Sequence, residues 1–272
     1  MPLLNRVCRE SYNQPGAVYE TLKSRGMDLV TVTDHDSIDA VEELRGHSDF
    51  FLSEEVTCQT PSGTELHMGV YGIQDTDHLE LQKRQSDLVS LIAYLGEQNL
   101  FFTINHVYSG LTGPRTDSDF SLFKAYFPGI ETRNGQMLET CNRSAEQLAR
   151  RWKKTAIAGS DAHTLAALGR TFTEVPGAAN SADFLEGLRN RSTRVHGISG
   201  DYWRLTSAVM EIGVCLMREK AWTLVLAPLF VAVPFVTLAN LLREYAFNHK
   251  WSRRLSENAA PVNAACAPEG LA

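Results

Sequence analysis

The sequence predicts an α/β protein built as a β/α barrel, with a hydrophobic helical segment after it. Short buried runs at residues 29–33, 100–104 and 155–159 alternate with amphipathic stretches, the pattern of strands joined by helices. Polar residues follow these runs directly, at the strand ends where barrel proteins carry their functional side chains. The 272 residues are enough for one large domain and an appendage.

The elements follow from local signals in chain order. Asn13 suits a helix cap, Pro15 a first turn and Gly26 the residue after a helix. The turn signal at residues 61–63 predicts a hairpin that carries Glu55 and His67. Strands are expected at 28–33, 50–52, 56–58, 66–71, 100–104, 129–132, 155–159 and 170–175, with helices at 37–45, 78–98, 143–154 and 181–190 and a polar loop at 108–119.

Charge and cysteine content exclude several classes of protein. A net charge of −6 argues against a general nucleic-acid binder but not against a metal enzyme acting on phosphates, because the metals supply positive charge. The five cysteines include no C-x-x-C pair, so we expect free thiols in a reducing compartment. The first residues lack an apolar run, and no signal peptide is expected.

Nitrogen and oxygen donors follow the predicted strands. The candidate metal ligands are Asp34, His35, Glu55, His67, His106, Asp161 and His163. A mixed set of imidazoles and carboxylates suits Zn, Mn or Fe. Such ions lower the pKa of a bound water and neutralise phosphate charge, so the set predicts a hydrolytic centre.

Each of these residues also has an ordinary explanation when it is taken alone. A histidine after a strand is often a core or capping residue, Asp34 would also cap helix 37–45, and Glu54 or Glu55 would be a solvated charge. Four other histidines in polar or helical contexts are expected at the surface: His47, His78, His196 and His249. The shared placement at strand ends is what favours a metal site.

Five segments resemble the successive motifs of the PHP (polymerase and histidinol phosphatase) domain, in the order of that family. They read VTDHDS, EEVTC, ELHMGVYG, INHV and GSDAH, and the resemblance covers roughly residues 10–197. It implies a distorted seven-stranded β/α (TIM-like) barrel, two or three divalent metals and hydrolysis of phosphoesters. By this resemblance the metal-ligand positions are His35, Glu55, His67, His106, Asp161 and His163.

The resemblance also implies roles for residues around the metals. Asp34 would bind metal or orient His35, and both are assigned to the catalytic group together with Asp161 and His163.

Substrate contacts are expected from a second group of residues. Asn134 and Asn142 lie in a segment similar to a family loop near the site. Arg115 and Arg133 would either meet the substrate phosphate or remain solvated loop charges. Arg115, Arg133 and Asn134 form the predicted substrate-binding set.

One departure from the family is large. The family begins with a strand ending in H-x-H, and this chain contains no H-x-H. The first strand and two or three ligands are therefore expected to be absent. The favoured interpretation is a start codon placed too late in the sequence, and the alternative is that the protein is a truncated relative. Metal affinity would be weakened and the barrel left open at one seam.

The C-terminal third differs in character. Residues 222–242 carry no charge over a length that can span a bilayer, and Pro228 and Pro234 are tolerated in membrane helices. The alternative is a hydrophobic helical hairpin packed on the barrel or on another subunit; we favour the membrane. The predicted domains are a catalytic domain at 1–198, a hydrophobic segment at 199–255 with a transmembrane helix at 222–242, and a disordered tail at 256–272.

The sequence thus predicts a metal-dependent phosphoesterase that acts on a phosphorylated small molecule or nucleotide. Its catalytic domain is expected in the cytoplasm, anchored to the inner membrane. The first rival is a catalytically impaired PHP relative that serves as a membrane-associated binding module. A weaker third is a metal-dependent hydrolase of another bond, such as an amidohydrolase.

Overall fold

A five-stranded mixed sheet lies at the centre of the molecule. The structure is a computed structural model and describes residues 11–257. The strands adjoin in chain order: β1 (Ser53–Gln59), β2 (Glu65–Tyr71), β3 (Phe101–Ile104), β4 (Gly129–Asn134) and β5 (Thr155–Gly159). The β1–β2 and β2–β3 pairs are antiparallel, and the β3–β4 and β4–β5 pairs are parallel. A separate antiparallel pair contains β6 (Thr171–Glu174) and β7 (Arg194–Gly197).

Helices and sheet enclose the main hydrophobic core. The helices are α1 (Pro15–Ser24), α2 (Val41–Leu44), α3 (Asp75–Arg84), α4 (Leu88–Glu97), α5 (Asp117–Tyr126), α6 (Glu139–Trp152), α7 (Ser181–Arg189), α8 (Tyr202–Glu219) and α9 (Val233–Glu257), with a 3₁₀ segment (Ala221–Ala232) between the last two. Leu66, Met68 and Val70 alternate along β2 and face this core, as a half-buried strand requires. Leu91 of α4 and Phe123 of α5 pack in the same cluster.

The chain before β1 is less regular than the sequence predicted. The expected strands 28–33 and 50–52 reduce to isolated parallel bridges, Val30 with Phe50 and His35 with Glu55. The sheet is not wholly parallel, because the tight turn at 60–64 can join only antiparallel strands. No closed barrel is found among residues 11–257, so the seven-stranded barrel stays a prediction.

Two helices replace the single helix predicted over 78–98. The break falls at Asp87, whose carboxylate accepts hydrogen bonds from the backbone N–H groups of Val89 (3.1 Å) and Ser90 (3.2 Å) and so caps α4. The loop predicted at 108–119 likewise ends in a capping box, in which Thr116 and Asp119 start α5. Both corrections come from capping residues that the apolar pattern does not reveal.

The C-terminal segment returns to the domain. The predicted transmembrane helix 222–242 comprises the 3₁₀ segment and the start of α9, and α9 continues through residues 256–257 of the predicted tail. The rest of that tail, 258–272, lies outside the described residues. Within residues 11–257, one helical stretch, Ala221–Glu257, is long and apolar enough to cross a membrane by length and composition alone, which is a weak indication.

Replacing Trp251 with alanine should detach the end of α9 from the domain. The indole is 3% exposed and its ring centroid lies 4.9 Å from that of Phe120. Truncating a buried tryptophan leaves a large cavity, so we expect the free energy of unfolding to fall by about 3 kcal/mol or more in a denaturant titration. Trp203→Ala is the matched control, because that indole is 74% exposed and should change the midpoint little.

Candidate metal centre

The sheet and the segment before it bring the predicted ligands together. His35 forms a bridge with Glu55 near the start of β1, and Glu55 N–H bonds to Asp34 O (3.2 Å). His67 lies in the middle of β2, which pairs with β1. His106 follows β3 and Asp161 follows β5. The sheet order therefore places side chains from distant parts of the sequence around one point.

Three donor atoms have the spacing of ligands on one metal ion. Glu55 Oε1 lies 3.4 Å from His67 Nδ1 and 3.4 Å from His106 Nε2, and the two nitrogens are 3.2 Å apart. Ligands at about 2.0–2.1 Å on a tetrahedral ion are separated by about 3.3 Å. Glu55 Oε1 is buried and has no hydrogen-bond partner. The residues present fit a divalent cation.

His35 extends this group. Its Nε2 lies 3.8 Å from Glu55 Oε2, and its ring centroid lies 4.5 Å from that of His67. His35, Glu55 and His67 offer donor atoms that all lie within 4.8 Å of one another. The predicted ligands His35, Glu55, His67 and His106 are thus gathered in one cluster.

Asp161 and His163 stand on the β5 side of the same cleft. His163 Nδ1 lies 3.7 Å from Asp161 Oδ1. The Asn134 amide donates to Asp161 Oδ2 (3.1 Å) and to Glu131 Oε2 (3.0 Å), so one side chain connects both carboxylates. Asn142 donates to the backbone carbonyl of Asn134 (3.0 Å) and fixes that residue in turn.

Glu131 is a site residue that the sequence analysis missed. Its Oε2 accepts the backbone N–H of His106 (2.9 Å) as well as the Asn134 amide. It lies in β4, and it was overlooked because the expected strand 129–132 was treated only as a buried run. A carboxylate inside a buried strand of the sequence GIETRN was the available signal, because such a charge is rare without a partner.

The site stores backbone strain at its strand ends. Asp36, His106 and Asp161 have φ values of 52°, 30° and 48°, in the left-handed region that residues other than glycine seldom adopt. Such conformations persist where surrounding contacts hold them, and they concentrate at functional sites. Glu131 supplies one such contact at His106.

Carboxylates and imidazoles shift one another's pKa in the cluster. Burial opposes ionisation of Glu55, but the His106 and His67 imidazoles beside it outweigh burial and hold the pKa of the carboxyl well below its usual range. Burial alone would lower the pKa of His106, yet Glu55, Glu131 and Asp161 together raise it to about 9. The pocket therefore holds a strong negative potential that favours cations.

A cleft of about 760 Å³ opens onto these groups. It is lined by His35, Glu55, His106, Glu131, Asp161 and His163, together with Asp34 and Asn134. Apolar side chains, among them Val30, Val32 and Ile157, form another part of its wall. The volume is that of a small-molecule site.

The predicted substrate-binding residues are placed differently from one another. Arg115 does not line this cleft; it is buried and donates to the Glu65 carbonyl and to Thr112 Oγ1 (2.8 Å), which is a structural role. Arg133 lies 3.3 Å from Glu139 Oε2. Asn134 lines the cleft, but its amide already donates hydrogen bonds to Glu131 and Asp161.

Glu54 and His78 are buried more deeply than the sequence predicted. Glu54 is fully buried rather than solvated, and His78, expected at the surface, is partly buried and pairs with it (2.7 Å). Gln82 Nε2 donates to the second carboxylate oxygen. This pair ties α3 to β1, and Glu55, one residue on, points the other way because side chains alternate along a strand.

Glu131→Gln should change how stability depends on pH. Burial raises the pKa of Glu131 to about 7 from 4.5. The contribution of this carboxyl to stability is therefore complete below pH 4.5 and lost as pH rises through about 7, a span worth at most about 3 kcal/mol. The melting temperature of metal-free Glu131→Gln should therefore change less with pH than that of wild type between pH 4.5 and about 7. Glu97→Gln, on an exposed position of α4, should follow wild type, and parallel curves for all three proteins would refute the shift.

Comparison with known proteins finds one family model that matches part of the chain. Residues 139–193 match the family PHP_C, described as PHP-associated. The matched segment runs from the start of α6 to the residue before β7. No curated protein sequence matches this chain.

Solved structures share this chain's fold at low identity. A two-domain protein from Bacteroides vulgatus containing a predicted PHP-like metal-dependent phosphoesterase is 19% identical, with a TM-score of 0.53 over 70% of this chain and 62% of that one. PsfC from Pseudomonas syringae is 16% identical, with a TM-score of 0.52 over 75% and 88%. The lesion-specific endonuclease PfuEndoQ from Pyrococcus furiosus is 15% identical, with a TM-score of 0.50 over 69% and 55%. The chain thus spans less than two thirds of the first and third of these proteins.

Proposed function

We propose that this protein is a metal-dependent phosphoesterase that hydrolyses a phosphorylated small molecule or nucleotide. The arrangement of Glu55 Oε1, His67 Nδ1 and His106 Nε2, each 3.2–3.4 Å from the others, is the observation that carries the proposal. PHP-like phosphoesterases and an endonuclease share the fold, which supports the same class of chemistry.

Two groups of side chains would hold the metals. His35, Glu55, His67 and His106 form the first group, and Asp161 with His163 forms the second across the cleft. Two or three ions of Mn, Zn or Fe suit this mixture of imidazoles and carboxylates. When bound, such ions would activate a water for attack on phosphorus and neutralise the phosphate charge.

The protein's own residues position these groups. Asn134 holds the Asp161 carboxylate, and Glu131 holds the backbone of His106, so the two halves of the site share one hydrogen-bonded support. Asp34, at the end of the segment that carries His35, is exposed and lines the cleft, where it would orient His35 or bind metal. Arg133 pairs with Glu139 and does not line the cleft, so it would contact a phosphate only after its side chain moved.

A metal-dependent turnover assay tests the proposal. The full chain, stripped with chelator and then loaded with Mn²⁺, Zn²⁺ or Fe²⁺, is given an aryl phosphomonoester and an aryl phosphodiester. We expect hydrolysis that disappears with chelator and returns with metal. Bound metal without hydrolysis of either ester would favour the rival, a membrane-associated binding module; cleavage of an amide substrate instead would favour the amidohydrolase.

A further inference from the structure

The C-terminal appendage is built with its polar side chains inside. Between residues 202 and 245 the buried residues are Thr206, Thr223, Thr237 and Glu244, and every one of them is polar. By contrast, 13 of the 19 exposed large hydrophobic residues of residues 11–257 lie between Trp203 and Tyr245. This distribution is the reverse of that in a protein surrounded by water.

We propose that α8, the 3₁₀ segment and the first half of α9 form a hairpin that inserts into one leaflet of a phospholipid bilayer, with both of its ends on the side of the catalytic domain. Hydrocarbon is the surrounding in which apolar side chains face outward and polar groups face a protein neighbour. Only 6% of the most apolar 18-residue window is buried, so the protein itself does not cover this surface.

Contacts within the appendage fold it back on itself. Phe230 of the 3₁₀ segment lies against Gly213 of α8. The Thr223 hydroxyl donates to the Lys220 carbonyl (2.7 Å), which closes the turn after α8. Tyr202, the first residue of α8, donates to the carbonyl of Pro234 at the start of α9 (3.4 Å). The 3₁₀ segment therefore runs back along α8.

Both ends of the hairpin are fixed to the domain. Before α8, Gly200 bridges to Leu138. At the other end, Glu244 accepts the backbone N–H of Gly110 (3.0 Å), Trp251 is buried in the main core, and Arg254 pairs with Asp117. A single crossing of the membrane would carry the end of α9 to the opposite face and break these contacts.

The charges of α8 fit an interfacial position. Three of the four charged residues of α8, Arg204, Glu211 and Arg218, are spaced by seven residues and so lie along one face of the helix, and the fourth, Glu219, is its last residue. A helix with such a stripe lies in the membrane surface with the stripe toward water. The stretch 221–242, which has no charge, can enter the hydrocarbon.

Vesicle flotation of the full chain tests whether lipid covers the hairpin. With phosphatidylcholine–phosphatidylglycerol vesicles, wild type should float. The double variant Leu224→Lys/Leu229→Lys should partition at least about tenfold less, because lysine is costly in hydrocarbon. The matched control Leu79→Lys/Val89→Lys changes equally exposed residues of the domain (58% and 64%, against 59% and 63% in the hairpin) and should float as wild type does. Equal flotation of all three, or a lipid-free dimer that does not float, would overturn the proposal.

Cysteine labelling tests the position of the two ends. Cys8, Cys215 and Cys266 are replaced by serine, and the buried Cys58 and Cys141 are kept. One cysteine is then added per variant, at Ser86 of the domain or at Ser256 at the end of α9, both exposed. In sealed vesicles, a membrane-impermeant maleimide should label both positions from the same face. Labelling of Ser256→Cys only from the face opposite Ser86→Cys would show a single crossing and refute the hairpin. Neither test measures hydrolysis, so their outcomes are independent of the proposed activity.

Discussion

Glu55→Gln is expected to weaken metal binding by about a hundredfold or more and to reduce metal-dependent hydrolysis accordingly. Among residues 11–257, Glu55 is the carboxylate whose oxygen faces both His67 Nδ1 and His106 Nε2 at 3.4 Å. The substitution keeps the shape of the side chain but removes the charge that offsets the cation. Residues that only orient a metal ligand already account for roughly tenfold to a hundredfold in affinity, so a direct ligand should account for at least as much.

Two measurements check this expectation separately from turnover. Metal content after dialysis reports affinity, and imidazole titration of the metal-free protein reports charge. The pKa of His106 is about 9 in the presence of the Glu55 carboxylate. It should fall in Glu55→Gln, because burial lowers this pKa and the charge that most strongly raises it is removed.

Glu65→Gln is the control for Glu55→Gln. Glu65 Oε1 also lies 3.4 Å from His67, but at Nε2, and its side chain is half exposed. An exposed pair of this kind contributes little, so metal content should stay within about twofold of wild type. An equal loss of metal content in the two variants would mean that Glu55 contributes only to the net negative charge of the site and is not a ligand.

Asp161→Asn should reduce hydrolysis by roughly a hundredfold while leaving the fold intact. Asparagine tolerates the left-handed backbone that Asp161 adopts at φ 48°, so the substitution changes charge without new strain. The second group of metal ligands would lose its carboxylate, and the Asn134 amide would keep Glu131 as a partner. Steady-state rates and melting temperature, measured with and without Mn²⁺, separate the two effects.

Asp28→Asn provides the comparison within the same cleft. Asp28 lines the cleft at the beginning of the segment that ends in His35, and it is exposed. Its activity should remain near that of wild type. A comparable loss in Asp28→Asn would indicate that the net charge of the cleft, rather than a ligand at Asp161, supports hydrolysis.

Local sequence patterns predicted most elements and the ligand set. Residues 155–159 form β5 as expected, and the turn at 61–63 produces the β1–β2 hairpin. These features depend on neighbouring residues alone: buried β-branched runs, glycine and proline at turns, and polar residues where a strand ends. For the same reason the sequence predicts His35, Glu55, His67 and His106 as ligands, each placed on or directly after a predicted strand, and the structure brings these four side chains together.

Tertiary structure decided what each side chain meets. Glu54 and Glu55 are adjacent in sequence, yet Glu54 pairs with His78 and Glu55 faces His67 and His106. Arg115 was expected at a phosphate and is buried under β2, while Glu131, absent from the prediction, supports the site. Their roles depend on elements far away in the chain, because burial and charge pairing are properties of the assembled sheet.

The uncharged stretch 222–242 was evident in the sequence as a segment suited to lipid. The sequence did not reveal where the chain goes after this stretch. Trp251 packs in the main core and so brings the chain back to the domain. Composition determines which solvent a segment prefers, since transfer free energy is nearly additive over residues. Only the packing of the far end of α9 against α5 and α6 decides that the chain returns to the domain.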